Sequence, residues 1–248
     1  MSRIFHSLQR AEQKRLAHDA GGAGADQPSA TDGAQPSRAA QLTEYERLAR
    51  NIVYLSSTSA FRTVMVASPA HGEGASTIVS RLALALAGLG HPRVLVVDAN
   101  FRRPRLHEVF HVEETGGLAE LIAGEVALDA VTRDIGTPNL RLVTAGRQLE
   151  GTAQLLAAPR LGEVLGELGR AHDITILDAP PVLPYADALA LASLVDRVVL
   201  VTQAGHTGRG HLERATAELV RSGATILGVV LNRTSSHAPP WLDRRFSA

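Results

Sequence analysis

The chain has 248 residues, room for one α/β domain with an appendage, and its 45% hydrophobic, 20% charged composition is that of a soluble globular protein. Its 25 basic and 25 acidic residues cancel, so no global field draws in nucleic acid or an acidic substrate. No cysteine is present, which excludes disulfides and thiolate metal sites and agrees with a cytoplasmic location, and no apolar run reaches the roughly 18 residues of a membrane span.

Residues 1–18, MSRIFHSLQRAEQKRLAH, space Ile4, Phe5, Leu8 and Leu16 at roughly helical intervals among basic residues, which predicts an amphipathic N-terminal helix. Such a helix is either a solvated element or a docking element for a partner or anionic lipid. Residues 19–40 are small, polar and rich in Gly and Pro, the composition of a flexible linker. A dense domain is expected over 41–235, followed by a tail over 236–248. It opens on a helix capped by Thr43, with Leu48, Ile52 and Leu55 on one face. Strands are expected at 62–68, 93–99, 140–145, 174–180, 197–203 and 225–232, and helices at 76–89, 152–170, 185–194 and 208–221. Strands this apolar must be covered on both faces by helical crossovers. The fold class is therefore α/β, a doubly wound and mostly parallel sheet flanked by helices.

Ligands in such sheets bind beyond the carboxyl ends of the strands, so the polar residues there carry the chemistry. The first strand runs into HGEGASTIVS, residues 71–80. Gly72 and Gly74 allow a tight turn and a close approach to phosphate, and the N–H groups of residues 72–77, backed by a helix N-terminus, point at it. In such a loop the Ser76 hydroxyl reaches Mg²⁺ and Thr77 an inner phosphate oxygen. Asp98 ends the second strand and Asp178 ends the strand at 174–178. Two carboxylates on neighbouring strand ends, facing a phosphate loop, suit a hydrated Mg²⁺ ion. A glycine turn alone is weak evidence, and one Asp at a strand end is often a helix cap. The conjunction carries the reading.

VLVVDANFRRPRLHEVF resembles the second Walker motif of the bacterial tyrosine kinases of capsular and exopolysaccharide biosynthesis, a family within the MinD/ParA-type P-loop ATPases. ITILDAPPVLPYADALAL resembles its Walker B stretch, GTAQLLAAPRLGEVLGEL the segment before it, and ILGVVLNR its last strand. The resemblance covers about residues 41–235. It implies a P-loop fold that binds ATP and Mg²⁺ and transfers the γ-phosphoryl to tyrosine, with Asp98 and Asp178 catalytic and Ser76, Asp98 and Asp178 at the metal. Gly72, Gly74, Ser76 and Thr77 would hold the phosphates, and Asn232 matches the position that contacts adenine. Glu44, Arg47 and Arg50 reproduce an E-x-x-R-x-x-R motif, which in the family packs subunits into a homo-oligomeric ring; their spacing places them on one helix face. The implied setting is cytoplasmic, docked through a partner to the membrane, the partner being a polysaccharide co-polymerase or activator.

Three departures bear on activity. Ala75 stands where the loop's lysine is expected, and Lys14 is the only lysine in the chain, so any substitute charge in the domain is an arginine. Arg102 and Arg103 are the nearest candidates in sequence. Asn100 occupies a position that is often acidic, and an amide cannot accept a proton there. The tyrosines are Tyr45, Tyr54 and Tyr185, so the C-terminal tail has none to phosphorylate. Two readings stay open: an ATP-dependent tyrosine kinase, or a catalytically impaired pseudokinase regulating a co-polymerase. A partitioning ATPase of the MinD/ParA type is a third, opposed by the neutral charge.

Overall fold

All six apolar runs expected as strands form strands, and they join one seven-stranded sheet. The computed structural model describes residues 38–90, 92–147, 155–156 and 158–234. The expected helix over 1–18, most of the expected linker and the tail over 236–248 lie outside the described residues.

The strands are β1 (Thr63–Ala67), β2 (Val94–Asp98), β3 (Arg133–Asp134), β4 (Leu140–Val143), β5 (Ile174–Asp178), β6 (Arg197–Gln203) and β7 (Ile226–Asn232), in the order β3-β4-β2-β5-β1-β6-β7. Every pairing is parallel except the short β3–β4 edge. The central strands β1, β2 and β5 are buried along their whole length. That is why they read as continuous β-branched runs rather than alternating ones. Two cores result. Val64 and Val66 of β1 face one with Val94 and Val96, while Met65 and Ala67 face the other with Leu95 and Val97.

The helices are α1 (Arg38–Ser59), α2 (Ala75–Gly88), α3 (Leu106–Phe110), α4 (Leu118–Ala123), α5 (Leu128–Val131), α6 (Pro159–Ala171), α7 (Asp187–Ala192) and α8 (Arg209–Arg221). The expectation that Thr43 caps α1 is wrong. The helix begins upstream at Arg38, so Thr43 lies inside it, and 38–40, the end of the expected linker, are helical. Ala49 and Ile52 of α1 are fully buried and share a core with Ile78, Leu82 and Leu86 of α2, while the Arg81 guanidinium lies 5.6 Å from the Tyr45 ring centroid. Burial of each of these isoleucine and leucine side chains stabilises by about 1.5–3 kcal/mol. The short elements α3, α4, α5 and β3 were not expected, because two to six residues are too few to display a period. Among the described residues no helix is long and apolar enough to cross a membrane.

Candidate nucleotide site

The loop between β1 and α2 needs its glycines. Gly72 has φ 82° and Gly74 φ 94°, the left-handed region that side chains with a Cβ adopt at a cost. Gly74 is also crowded: a Cβ there would lie 2.3 Å from Asn232 Nδ2. Asn232 itself, at the end of β7, donates through Nδ2 to the Glu73 carbonyl at 2.9 Å. It therefore buttresses the loop. The first hydrogen bond of α2 is Ile78 N–H to Gly74 C=O, 3.0 Å, so the N–H groups of residues 75–77 have no intrahelical acceptor and face the loop. No acidic residue occupies that first turn. Ala75 is buried and its methyl belongs to the core beneath. Ser76 and Thr77 are half-buried just beyond it.

Asp98 and Asp178 are direct register partners on β2 and β5, and both are fully buried. Their surroundings differ. Asp98 accepts N–H bonds from Asn100 (3.1 Å), Arg105 (2.9 Å) and Leu106 (2.9 Å), which fold the turn into α3 around it. Three bonds use most of a carboxylate's roughly four lone-pair sites. Burial nevertheless pushes its pKa up to about 6, against the pull of those three N–H groups. Neither oxygen of Asp178 has a hydrogen-bond partner among the described residues. Burial and then the Asp98 charge hold its pKa well above the usual carboxylate range. The Ser76 hydroxyl is the group near enough to ease this, without reaching hydrogen-bond geometry. A buried, unpartnered carboxylate beside a second carboxylate and a hydroxyl suits a small hard cation.

The turn after β2 assigns its two arginines different tasks. Arg102 binds Asp187 through Nε (2.7 Å) and a terminal nitrogen (3.3 Å) and lies 4.9 Å from the Tyr185 ring centroid. It is therefore committed. Arg103 is exposed; burial, and then the Arg103 charge, lower the pKa of His71 at the start of the glycine loop. Asn100 accepts the Arg103 N–H through Oδ1 at 3.2 Å, so its side-chain oxygen shapes the turn.

The structure thus gathers Gly72, Gly74, Ser76, Thr77, Asp98, Asp178 and Asn232 at the carboxyl ends of β1, β2, β5 and β7. Glu44, Arg47 and Arg50 lie elsewhere, exposed on α1, where Glu44 pairs with Arg47 at 2.5 Å. Sequence reasoning missed two further groups. Glu73, between the two glycines, is 1% exposed with Oε2 unpartnered. Its burial raises its pKa, against hydrogen bonds from Thr207 and Ala70 and the charges of His206 and His211. The second group is His71 with Tyr185, whose Nε2 and hydroxyl oxygen lie 3.2 Å apart. Their positions in sequence carry no sign of that contact.

A glycine loop joining a buried strand to a helix, within a mostly parallel sheet covered on both sides, defines a P-loop nucleoside-triphosphatase fold. No family model matches the chain. Among curated proteins it is 30% identical over 197 residues to tyrosine-protein kinase YwqD of Bacillus subtilis, covering 79% of this chain and 83% of that protein. It is also 30% identical over 183 residues to tyrosine-protein kinase CpsD of Streptococcus agalactiae, covering 73% of this chain and 80% of the other. Among solved structures, the VpsO kinase domain superposes with a TM-score of 0.71 at 28% identity, covering 79% of this chain and 97% of that one. The chain belongs to the bacterial tyrosine-protein kinase family of capsule and exopolysaccharide biosynthesis.

Proposed function

We propose that this chain is a cytoplasmic tyrosine-kinase-like P-loop protein of exopolysaccharide or capsule biosynthesis, which binds ATP with Mg²⁺ and transfers its γ-phosphoryl to protein tyrosine slowly. The observation that carries the reading is Asp178, whose carboxylate is buried without a partner, in register with Asp98 at the mouth of the glycine loop. Mg²⁺ would be held by Ser76, Asp178 and Asp98, and when bound it would neutralise the charge of the transferring phosphoryl group. The backbone N–H groups of residues 72–77 cradle the phosphates, and Asn232 keeps Gly74 and Glu73 in place for them. For a tyrosine presented by a substrate protein, Asp98 would be the carboxylate that takes the acceptor's proton.

Ala75 favours a second reading. Losing one preorganised donor typically costs about 10²–10³ in rate. The chain then acts as a pseudokinase, a nucleotide-binding regulator docked on a membrane polysaccharide co-polymerase. Both readings use the exposed Glu44, Arg47 and Arg50 row of α1 for homo-oligomer contacts. Calorimetry of ATP binding with and without Mg²⁺, followed by radiolabel transfer to a tyrosine substrate, separates them. Binding with transfer that is lost in Asp98→Ala supports the kinase. Binding without transfer supports the regulator, and no Mg²⁺-dependent binding refutes both.

A further inference from the structure

We propose that Tyr185 is an intramolecular phosphoacceptor for this site, with His71 receiving its proton. The inference rests on the nucleotide-binding reading above and adds the acceptor to it. Of the tyrosines, Tyr45 and Tyr54 lie on α1, on the flank of the sheet. Tyr185 lies between the end of β5 and the start of α7, and its hydroxyl reaches the glycine loop itself.

Three contacts hold it there. The hydroxyl is 3.2 Å from His71 Nε2, and the two rings meet edge-on with centroids 5.5 Å apart. The Arg102 guanidinium covers the ring and is fixed in turn by Asp187. The phenol is thus ordered before any nucleotide arrives. Burial, and then the Arg103 charge, lower the His71 pKa and favour the neutral imidazole. In the tautomer protonated at Nδ1, its Nε2 accepts the phenolic O–H.

The Tyr185 oxygen attacks the γ-phosphorus of the nucleoside triphosphate, and an oxygen–phosphorus bond forms. The bond from that phosphorus to the β,γ-bridging oxygen breaks, its electron pair leaving with the nucleoside diphosphate. The phenolic proton passes to His71 Nε2. The product is a phosphotyrosine dianion facing an imidazolium, with the Arg103 charge nearby.

Magnitudes reconcile this step with Ala75. Removing a preorganised donor costs about 10²–10³ in rate. Holding the acceptor beside the donor is worth effective molarities of about 10⁵–10⁸ M when alignment is good. One intramolecular transfer also requires no turnover, because the ester then occupies the mouth of the phosphate loop.

Two experiments on the full chain test this. The first needs no chemistry at the nucleotide: tyrosine nitration by tetranitromethane, mapped by mass spectrometry, with Mg²⁺ and a non-hydrolysable ATP analogue. Several-fold protection of Tyr185 with Tyr54 unchanged is expected; equal nitration with and without the analogue overturns the placement. The second incubates the chain with Mg²⁺ and ATP and locates the phosphate. It should appear on Tyr185 at a rate independent of protein concentration and slow by roughly 10²–10⁴ in His71→Gln. It should vanish in Tyr185→Phe, which keeps the ring under Arg102. Phosphate on Tyr45 or Tyr54 instead, a rate that rises with concentration, or no phosphate despite calorimetric ATP binding overturns the proposal. Absence of ATP binding would sink the nucleotide reading beneath it.

Discussion

Asp178→Asn should make the nucleotide-free protein more stable at neutral pH while removing Mg²⁺-dependent ATP binding. The folded protein holds two carboxylates in register with no solvent around them. For Asp98 the folded pKa is raised from 3.8 to about 6. A raised carboxylate pKa means that the native state keeps its proton where the unfolded chain has lost it. Stability from this group is therefore complete below pH 3.8 and falls as pH rises through about 6. At 1.36 kcal/mol per unit the Asp98 shift alone corresponds to about 3 kcal/mol, roughly half of it lost above pH 5. For a domain of this size that is on the order of 6–12 °C in Tm across the full window. Asp178 shifts in the same direction, through burial and then the Asp98 charge, and deepens the loss. Asparagine removes the second charge, and its amide has donors to offer the Asp98 carboxylate. Differential scanning calorimetry in EDTA from pH 5 to pH 8 should show wild-type Tm falling with pH. The variant should melt above wild type at pH 8, with the gap closing toward pH 5. Mg²⁺ with ATP should raise the wild-type Tm and leave the variant unmoved. A variant less stable than wild type at pH 8, or a gap independent of pH, would falsify the account of the carboxylate pair.

Other substitutions probe separate parts of the argument. Ala75→Lys replaces a core-packed methyl by a side chain long enough to reach the loop, so it should tighten ATP binding and raise phosphoryl transfer by about 10²–10³, measured by calorimetry and radiolabel; unchanged affinity would mean that the new ammonium does not reach the phosphates. Gly74→Ala places a Cβ 2.3 Å from Asn232 Nδ2 at φ 94°, so a loss of about 1–3 kcal/mol in denaturant titration and weaker ATP binding are expected. Wild-type stability in this variant would show that the loop relaxes freely. Asp196 accepts the N–H groups of Arg62 and Thr63, both at 2.8 Å, and the Thr63 hydroxyl at 2.9 Å, tying the start of β1 to β6. Asp196→Ala should cost about 2–3 kcal/mol by leaving those donors unpaired, and a loss under half of that would mean that water replaces them. Replacing Arg47 and Arg50 together by Ala should reduce the size measured by light scattering with Tm unchanged. Identical size would remove the assembly role of this helix face.

The sequence by itself determined the class of fold and which loop and strand ends share one edge of the sheet. A parallel sheet covered on both faces needs unbroken apolar strands, so the runs ending at Ala67, Asp98 and Asp178 announce themselves, and their polar ends can only line one edge. Glycine at 72 and 74 is equally legible, because a left-handed turn leaves few alternatives. Tertiary structure decided the rest. Asp98 and Asp178 became a coupled pair only through the β2–β5 register, and only packing left one with three N–H partners and the other with none. Arg102 and Arg103 are adjacent in the chain and chemically alike. Asp187, at the start of α7, and Tyr185 just before it occupy the first, while the second bears on His71 only through its charge. Thr43 looked like a helix cap because local pattern cannot show that the helix already runs through it. For the Asp98–Asp178 pair and for Arg102 the deciding contact joins residues distant in sequence, and a one-dimensional pattern records hydrophobic spacing and turn chemistry but not which strand ends and loops meet in space.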